Sequence, residues 1–341
     1  MRILLPTILI AFLFTTVAVA QPGESVATLH ARAKGFLQSG DFDNAVLVLR
    51  QALIIAPDEL ELNKDLVMAY TLKRDYTRAR ENVISLCDRP NADVVCFQLA
   101  GNVFKALEEV KECDKFYKRG LKKFPNSGPL FSEYGELLWS AKDPRAIEMW
   151  EKGIEVDPGY GGNYYNAALY YYYTTEKVWG LIYGEIFVNL EGMSERGRSM
   201  RELLLKGYKE KLFADNDLSQ VAEKTTNPFA KAFLSEMAKH SAITARGIDP
   251  ETLTMIRTRF LVGWFDGPGK KFPFKLFDVQ RQWIQADLFQ AYNQWLFLTP
   301  ETLVRHEQWK KENTETWNKF QQWQQNRVFR IPSGQYYQSP L

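Results

Sequence analysis

The sequence predicts an all-α chain: an α-solenoid of four to five helix pairs that runs into a C-terminal, aromatic-rich helical cap. Three observations predict it. Residues of one kind recur 34 positions apart, Ala45 with Ala79 and Phe36 with Tyr70 and Phe104, while Pro57 and Pro125 stand two such periods apart. A fixed period of this length marks stacked helix pairs, none of which can bury its apolar face alone. Within a period, two apolar helical stretches are split by a turn, as at Gly40-Asp41, where glycine suits the left-handed end of a helix. Beyond the repeats the apolar residues keep helical spacing, and six of the nine tryptophans fall after residue 260.

The first element is expected to leave the mature chain. Arg2 gives a positive start, Ile3 to Val17 is nearly all apolar, and Ala18-Val19-Ala20 is a small-x-small cleavage site before Gln21-Pro22-Gly23. Residues 1–20 thus read as a secretory signal peptide. The apolar run falls short of the roughly 18–20 residues that span a bilayer, and no later stretch is apolar enough to span. The mature protein is expected to be exported, periplasmic or secreted.

Residues 21–194 carry the repeats. The first, about 26–59, places Leu29, Ala33 and Phe36 on one helix and Phe42, Ala45, Leu49 and Ala52 on the other, with Pro57 at its end. The second, 60–93, gives Leu66, Val67, Tyr70, Tyr76, Ala79, Val83 and Leu86. The third, 94–127, gives Phe97, Ala100, Gly101, Phe104, Cys113, Tyr117, Gly120 and Pro125. The fourth, 128–160, gives Phe131, Tyr134, Gly135 and Leu138, loses one residue near Asp143-Pro144, and regains phase at Ala146, Trp150, Gly153 and Pro158. The fifth, 161–194, is weaker: Tyr164, Ala167, Ala168, Tyr171, Gly180, Gly184 and Phe187 fit, while Tyr170 to Tyr173 depart.

These residues resemble the tetratricopeptide repeat (TPR) family over about half the chain. The resemblance implies two antiparallel helices per repeat, small residues where they cross, and a concave surface lined by the first helices. It points to protein or peptide binding and to no cofactor. The residues it would turn to the groove are Lys34, Lys64, Gln98, Asn102, Lys105, Glu136, Trp139, Tyr165 and Tyr172, with His30, Gln38, Met68, Thr71, Ser132, Leu169 and Tyr173 beside them. The early part is polar and basic and the late part aromatic, a mixture that suits an extended peptide or a partner's helix. The Lys/Asn/Arg set with which some members hold a C-terminal carboxylate is not matched; Lys64 and Asn102 are its only partial echoes. Two alternatives stay open for this surface: it is solvated, or it is filled by the chain's own C-terminal region.

Residues 195–330 keep helical signals without the period. Met200, Leu203, Leu204 and Leu212 mark one helix. Asn227-Pro228 opens another, through Met237 and His240, and Asp249-Pro250-Glu251 repeats that device before Leu253, Ile256, Phe260, Leu261 and Trp264. Gly267-Pro268-Gly269 is a break, and Lys270 to Phe277 is read as a loop or short extended piece. One helix is predicted over 278–298, with Ile284, Leu288, Phe289, Tyr292, Trp295 and Leu296 buried. A second is predicted from Thr299-Pro300-Glu301 to about Arg327, striped by Trp309, Trp317, Phe320 and Trp323. Residues 331–341 read as a frayed or extended tail.

Chemistry is scarce. The net charge of +2 argues for neither nucleic acid nor an acidic surface as partner. His30, His240 and His306 have no metal-binding spacing. Gly267-Pro268-Gly269-Lys270-Lys271 lacks the first glycine and the final Ser or Thr of a phosphate loop, and no Gly-x-Ser-x-Gly occurs. Cys87, Cys96 and Cys113 fall inside the repeats; Cys87 and Cys96 are read as one disulfide or as free thiols. The function expected is a non-enzymatic protein-interaction scaffold or adaptor in the cell envelope. The alternatives are an enzyme with its site in the C-terminal helical region, and a structural protein associated with a membrane surface.

Overall fold

The computed structural model describes residues 24–174, 176–214 and 217–338, so the predicted signal peptide lies outside the described residues. The fold is all-α, an α-solenoid of helix pairs of the TPR type, with no strand among the described residues. The repeat helices are α1 (Val26–Ser39), α2 (Phe42–Ile55), α3 (Leu60–Leu72), α4 (Tyr76–Asp88), α5 (Val94–Ala106), α6 (Val110–Lys123), α7 (Gly128–Ser140), α8 (Ala146–Val156), α9 (Gly161–Tyr172) and α10 (Lys177–Glu191). The C-terminal helices are α11 (Glu195–Lys206), α12 (Leu218–Lys224), α13 (Pro228–Ala238), α14 (Pro250–Asp266), α15 (Lys275–Gln285), α16 (Phe289–Leu296), α17 (Leu303–Glu312) and α18 (Thr314–Asn326). A π-helical turn, Gly207–Leu212, continues α11. The described residues up to 82 and those from 83 on form two compact units, the boundary falling inside α4.

In the first unit, Leu29 and Ala33 of α1, Ala45, Leu49 and Ala52 of α2, and Leu66, Val67 and Tyr70 of α3 are buried. Ser25 caps α1 and Asp41 caps α2, each accepting a hydrogen bond from a main-chain N–H three residues on. His30 Nε2 meets Asp65 Oδ2 at 2.7 Å, joining α1 to α3.

The second unit shows why the small residues recur. A Cβ on Gly101 would lie 2.0 Å from the Tyr117 hydroxyl, and one on Gly135 2.3 Å from Trp150 Nε1, so each glycine makes room for an aromatic of the paired helix. The missing residue in the fourth repeat removes the first turn of α8. Asp143 closes the gap by accepting from the Arg145 main-chain N–H at 3.0 Å, and Ala146 is fully buried. No disulfide joins the three cysteines. Cys87 Sγ donates to the Cys96 carbonyl at 3.3 Å rather than bonding its sulfur, and burial pushes the Cys87 thiol up to about 12.

Helix α10 is buried on every side: Val178, Trp179, Leu181, Ile182, Tyr183, Ile186, Phe187 and Val188 all lie in the core. A helix apolar all round is a central helix, not a surface one. This explains why the fifth repeat departs from the pattern: helices α11 and α13 pack on α10.

Two predicted helices are each broken in two. The stretch 278–298 divides into α15, which starts earlier at Lys275, and α16; Asp287 between them holds φ 55°, and Ile284 is only half-buried. The stretch from Thr299 begins its helix at Leu303, after Thr302 Oγ1 has accepted from the Thr299 N–H at 2.9 Å, and breaks again at Asn313. Trp309 and Phe320 are buried, Trp317 and Trp323 half-buried. Helix α13 stops at Ala238, leaving His240 outside it. Of the predicted tail, residues 331–338 are described. They take no regular structure beyond a turn at 333–334 and a bend at Gln338, and they are anchored rather than frayed, with Ile331 and Tyr337 buried.

Candidate functional site

The candidate groove residues lie on the first helices of successive repeats, and their chemistry depends on which side chains each unit spends on itself. Lys34 is exposed on α1, whereas Lys64 is 8% exposed and meets Glu61 at 2.5 Å. The other residues lie on α5, α7 and α9 of the second unit. Gln98 Nε2 donates to Glu133 Oε1 at 2.6 Å, and Tyr117 passes over Gly101 to donate to Glu133 Oε2 at 2.8 Å. Burial raises the Glu133 pKa, and the Gln98 and Tyr117 donors oppose that rise. One repeat on, Asn166 Nδ2 donates to Ser132 Oγ at 3.2 Å and to Glu136 Oε1 at 3.0 Å. Together with His30 and Asp65 this is one device used three times: the fifth residue of a first helix bonds the sixth residue of the next. His30, Gln98 and Ser132 are therefore joints between repeats.

An open strip remains. Asn102 and Glu136 are exposed, Lys105 is half-buried with Nζ 6.0 Å from the Tyr117 ring centre, and Trp139 is 46% exposed. The Trp139 ring is held edge-on by Tyr170 at 5.3 Å and at a tilt by Trp150 at 5.9 Å. Trp150 is itself pinned by its Nε1–H on the Ser132 carbonyl at 3.1 Å. Beside Trp139, residues Ser140, Lys142, Asp143 and Pro144 line an open cleft of about 460 Å³. A rigid, half-exposed indole next to a cleft, with an amide, an ammonium and a carboxylate along the same strip, can grip a polypeptide by apolar contact and by main-chain hydrogen bonds.

The rest of the aromatic end is covered by the chain itself. Arg196 of α11 lies over Tyr165 at 5.2 Å, and Tyr165 packs on Phe187 at 5.0 Å. The π-helical turn closes on Tyr172, whose hydroxyl donates to Glu210 Oε2 at 3.2 Å while Lys211 Nζ sits 5.0 Å above the ring. Tyr165 and Tyr172 are thus not brought into the strip that holds Asn102, Lys105, Glu136 and Trp139. Only Tyr173, beyond the end of α9, is widely exposed.

A buried polar network lies elsewhere. Glu185 of α10, 4% exposed, accepts on Oε1 from Arg257, from Gln280 Nε2 at 2.7 Å and from the Tyr292 hydroxyl at 2.6 Å. Arg257, 2% exposed, also donates to Asn293 Oδ1 and lies among the rings of Phe289, Tyr292 and Phe297. Sequence reasoning passed over this network; the signal available was one carboxylate in the apolar run of α10 and one guanidinium on the apolar stripe of α14. Among the described residues no group of three His, Cys, Asp or Glu could hold a metal ion, and no helix is long and apolar enough to cross a membrane.

No protein-family model matches the chain, and no curated protein matches it. Among solved structures the chain is similar to a crystal structure of MamA protein, with 19% identity over 50% of this chain and 93% of that one and a TM-score of 0.40. It is also similar to YrrB, described as a TPR protein with an unusual peptide-binding site, at 17% identity over 51% of this chain and 90% of that one, with a TM-score of 0.36.

Proposed function

We propose that this protein is a non-enzymatic scaffold or adaptor of the cell envelope, exported by the leader at residues 1–20, that binds a peptide or partner helix along α5 and α7. The observation that carries the reading is the strip Asn102, Lys105, Glu136 and Trp139. It stays open to solvent while Gln98 and Ser132 beside it are bound into joints, and it ends on an indole that the rings of Tyr170 and Trp150 hold in place. Joints that fix the helices keep the strip pre-formed, which lowers the cost of binding. The leader pattern supports export.

The test is crosslinking in intact cells followed by capture of the tagged mature chain. A partner retained by the wild type and lost by Trp139→Ala is expected, since truncating a central aromatic anchor costs about 2 kcal/mol, or roughly 30-fold in affinity. Recovery of the chain alone would sink the scaffold reading. Recovery with the cytoplasmic fraction would sink the export reading independently.

A further inference from the structure

The protein already holds one peptide segment in an irregular conformation: its own residues 335–338. They lie in a channel made by α13, the segment 272–274, α9 and α8, apart from the strip on α5 and α7. Tyr337 enters an aromatic pocket, its ring stacked on Phe229 at 4.8 Å and 9° and flanked edge-on by Phe272 and Phe274. Its hydroxyl donates to the Pro273 carbonyl at 2.6 Å. The residues on either side, Tyr336 and Gln338, reach α8 and α9 instead. Gln338 Nε2 donates to the Tyr171 hydroxyl at 2.8 Å. Tyr171 donates to Glu151 Oε1 at 2.5 Å, and Tyr336 shares the same carboxylate.

Main-chain contacts complete the hold. Asn227 works at both ends of its amide: Oδ1 caps α13 by accepting from the Ala230 N–H, and Nδ2 donates to the carbonyls of Tyr337 at 2.8 Å and Gln338 at 3.1 Å. The Lys275 N–H donates to Gln335 Oε1 at 2.6 Å. Main-chain hydrogen bonds for affinity, and pockets for alternate side chains for specificity, are how proteins recognise extended segments.

We infer that this channel is a second peptide-recognition site, selective for a Tyr-Tyr segment of a partner protein, which the tail fills in cis. Upstream of the docked residues, Pro332, Ser333 and Gly334 are exposed, with Gly334 at φ 83°, so the docked piece is joined to α18 through a surface turn. Gln338 also borders a cleft of about 590 Å³ lined by Trp179, Val221, Lys224, Pro228 and Leu234 among others. A partner segment that runs on into this cleft gains contacts that residues 335–338 do not make. Residues 335–338 of a second copy would repeat the cis contacts and gain nothing over them. Tethering gives the tail an effective concentration on the order of mM, so it gates the site against weaker ligands.

The test uses the full chain with a protease recognition sequence inserted between Ser333 and Gly334, cut after folding. The probe is a fluorescent peptide of residues 334–341, followed by anisotropy. Cutting is expected to tighten peptide binding at least tenfold over the uncut chain. A Tyr337→Ala peptide is expected to lose at least 30-fold, and Trp139→Ala in the protein to leave this binding unchanged. The inference is overturned if the cut protein keeps its circular dichroism yet binds no peptide, or binds the Tyr337→Ala peptide equally well. Unfolding on cutting would make the tail a structural element and overturn it too. Dimers appearing with concentration would replace the partner segment by a second copy's tail.

Discussion

Gly40, Arg74, Glu108 and Lys142 all hold a positive φ, at 78, 64, 57 and 58°, and stand 34 residues apart in the chain. The repeat is thus written in backbone conformation at four turns but in residue type at only one. For a side chain with a Cβ this region costs roughly 1–2 kcal/mol, offset in part by the greater freedom glycine loses on folding. Glu108→Gly and Lys142→Gly should therefore each stabilise the fold by about 0.5–1 kcal/mol, whereas alanine at either site should not. Chemical denaturation followed by tryptophan fluorescence checks this; a loss on Glu108→Gly would mean that its side chain matters more than its backbone. The buried small positions were legible where the turns were not. Ala33, Ala45, Ala52 and Ala79 are fully buried because close helix crossings admit nothing larger, so residue type itself carries that information.

Helices α15 to α18 show what periodicity does not report. The apolar stripe runs on across Asp287 and Asn313 with no Pro or Gly to mark a break, and tertiary packing stops both helices. The groove was half legible for a similar reason. The period says which residues of a first helix face outward, but Gln98 and Ser132 find their partners, Glu133 and Asn166, on the next repeat. Tyr165 and Tyr172 are covered by α11 and the π-helical turn, which follow no period. Glu185 and Arg257 fasten α10 to α14, and so the fifth repeat to the C-terminal helices. Removing one partner of a buried pair leaves the other charge uncompensated. Arg257→Met should cost about 3–5 kcal/mol, and the double variant Glu185→Leu/Arg257→Met should recover most of that loss. A double variant no more stable than the single one in urea would show that the pair does not act as a unit.

The molecule is closed by its tail, and the closure responds to pH through Glu151. Burial pushes that carboxyl from 4.5 up to about 7, against the lowering effect of the Tyr171 and Tyr336 hydroxyls and with a small push from Glu148. The folded, tail-docked protein then keeps the Glu151 proton over a range in which the unfolded chain has lost it. Stability tied to this group is therefore full below about pH 4.5, falls as pH rises toward 7 and is flat above, a total change of at most about 3 kcal/mol. Glu151→Gln cannot ionise and keeps a side chain that can accept from both hydroxyls, so its stability should lack this slope. The measurement is the denaturation midpoint of wild type and Glu151→Gln between pH 5 and 8. The two curves should diverge as pH rises, with the variant the more stable above pH 7. Native-state proteolysis at the exposed turn 332–334 separates tail release from global unfolding: cleavage that accelerates with pH in the wild type alone places the effect in the strap. Parallel curves would mean that Glu151 stays ionised in the fold and that the tail is held equally at every pH.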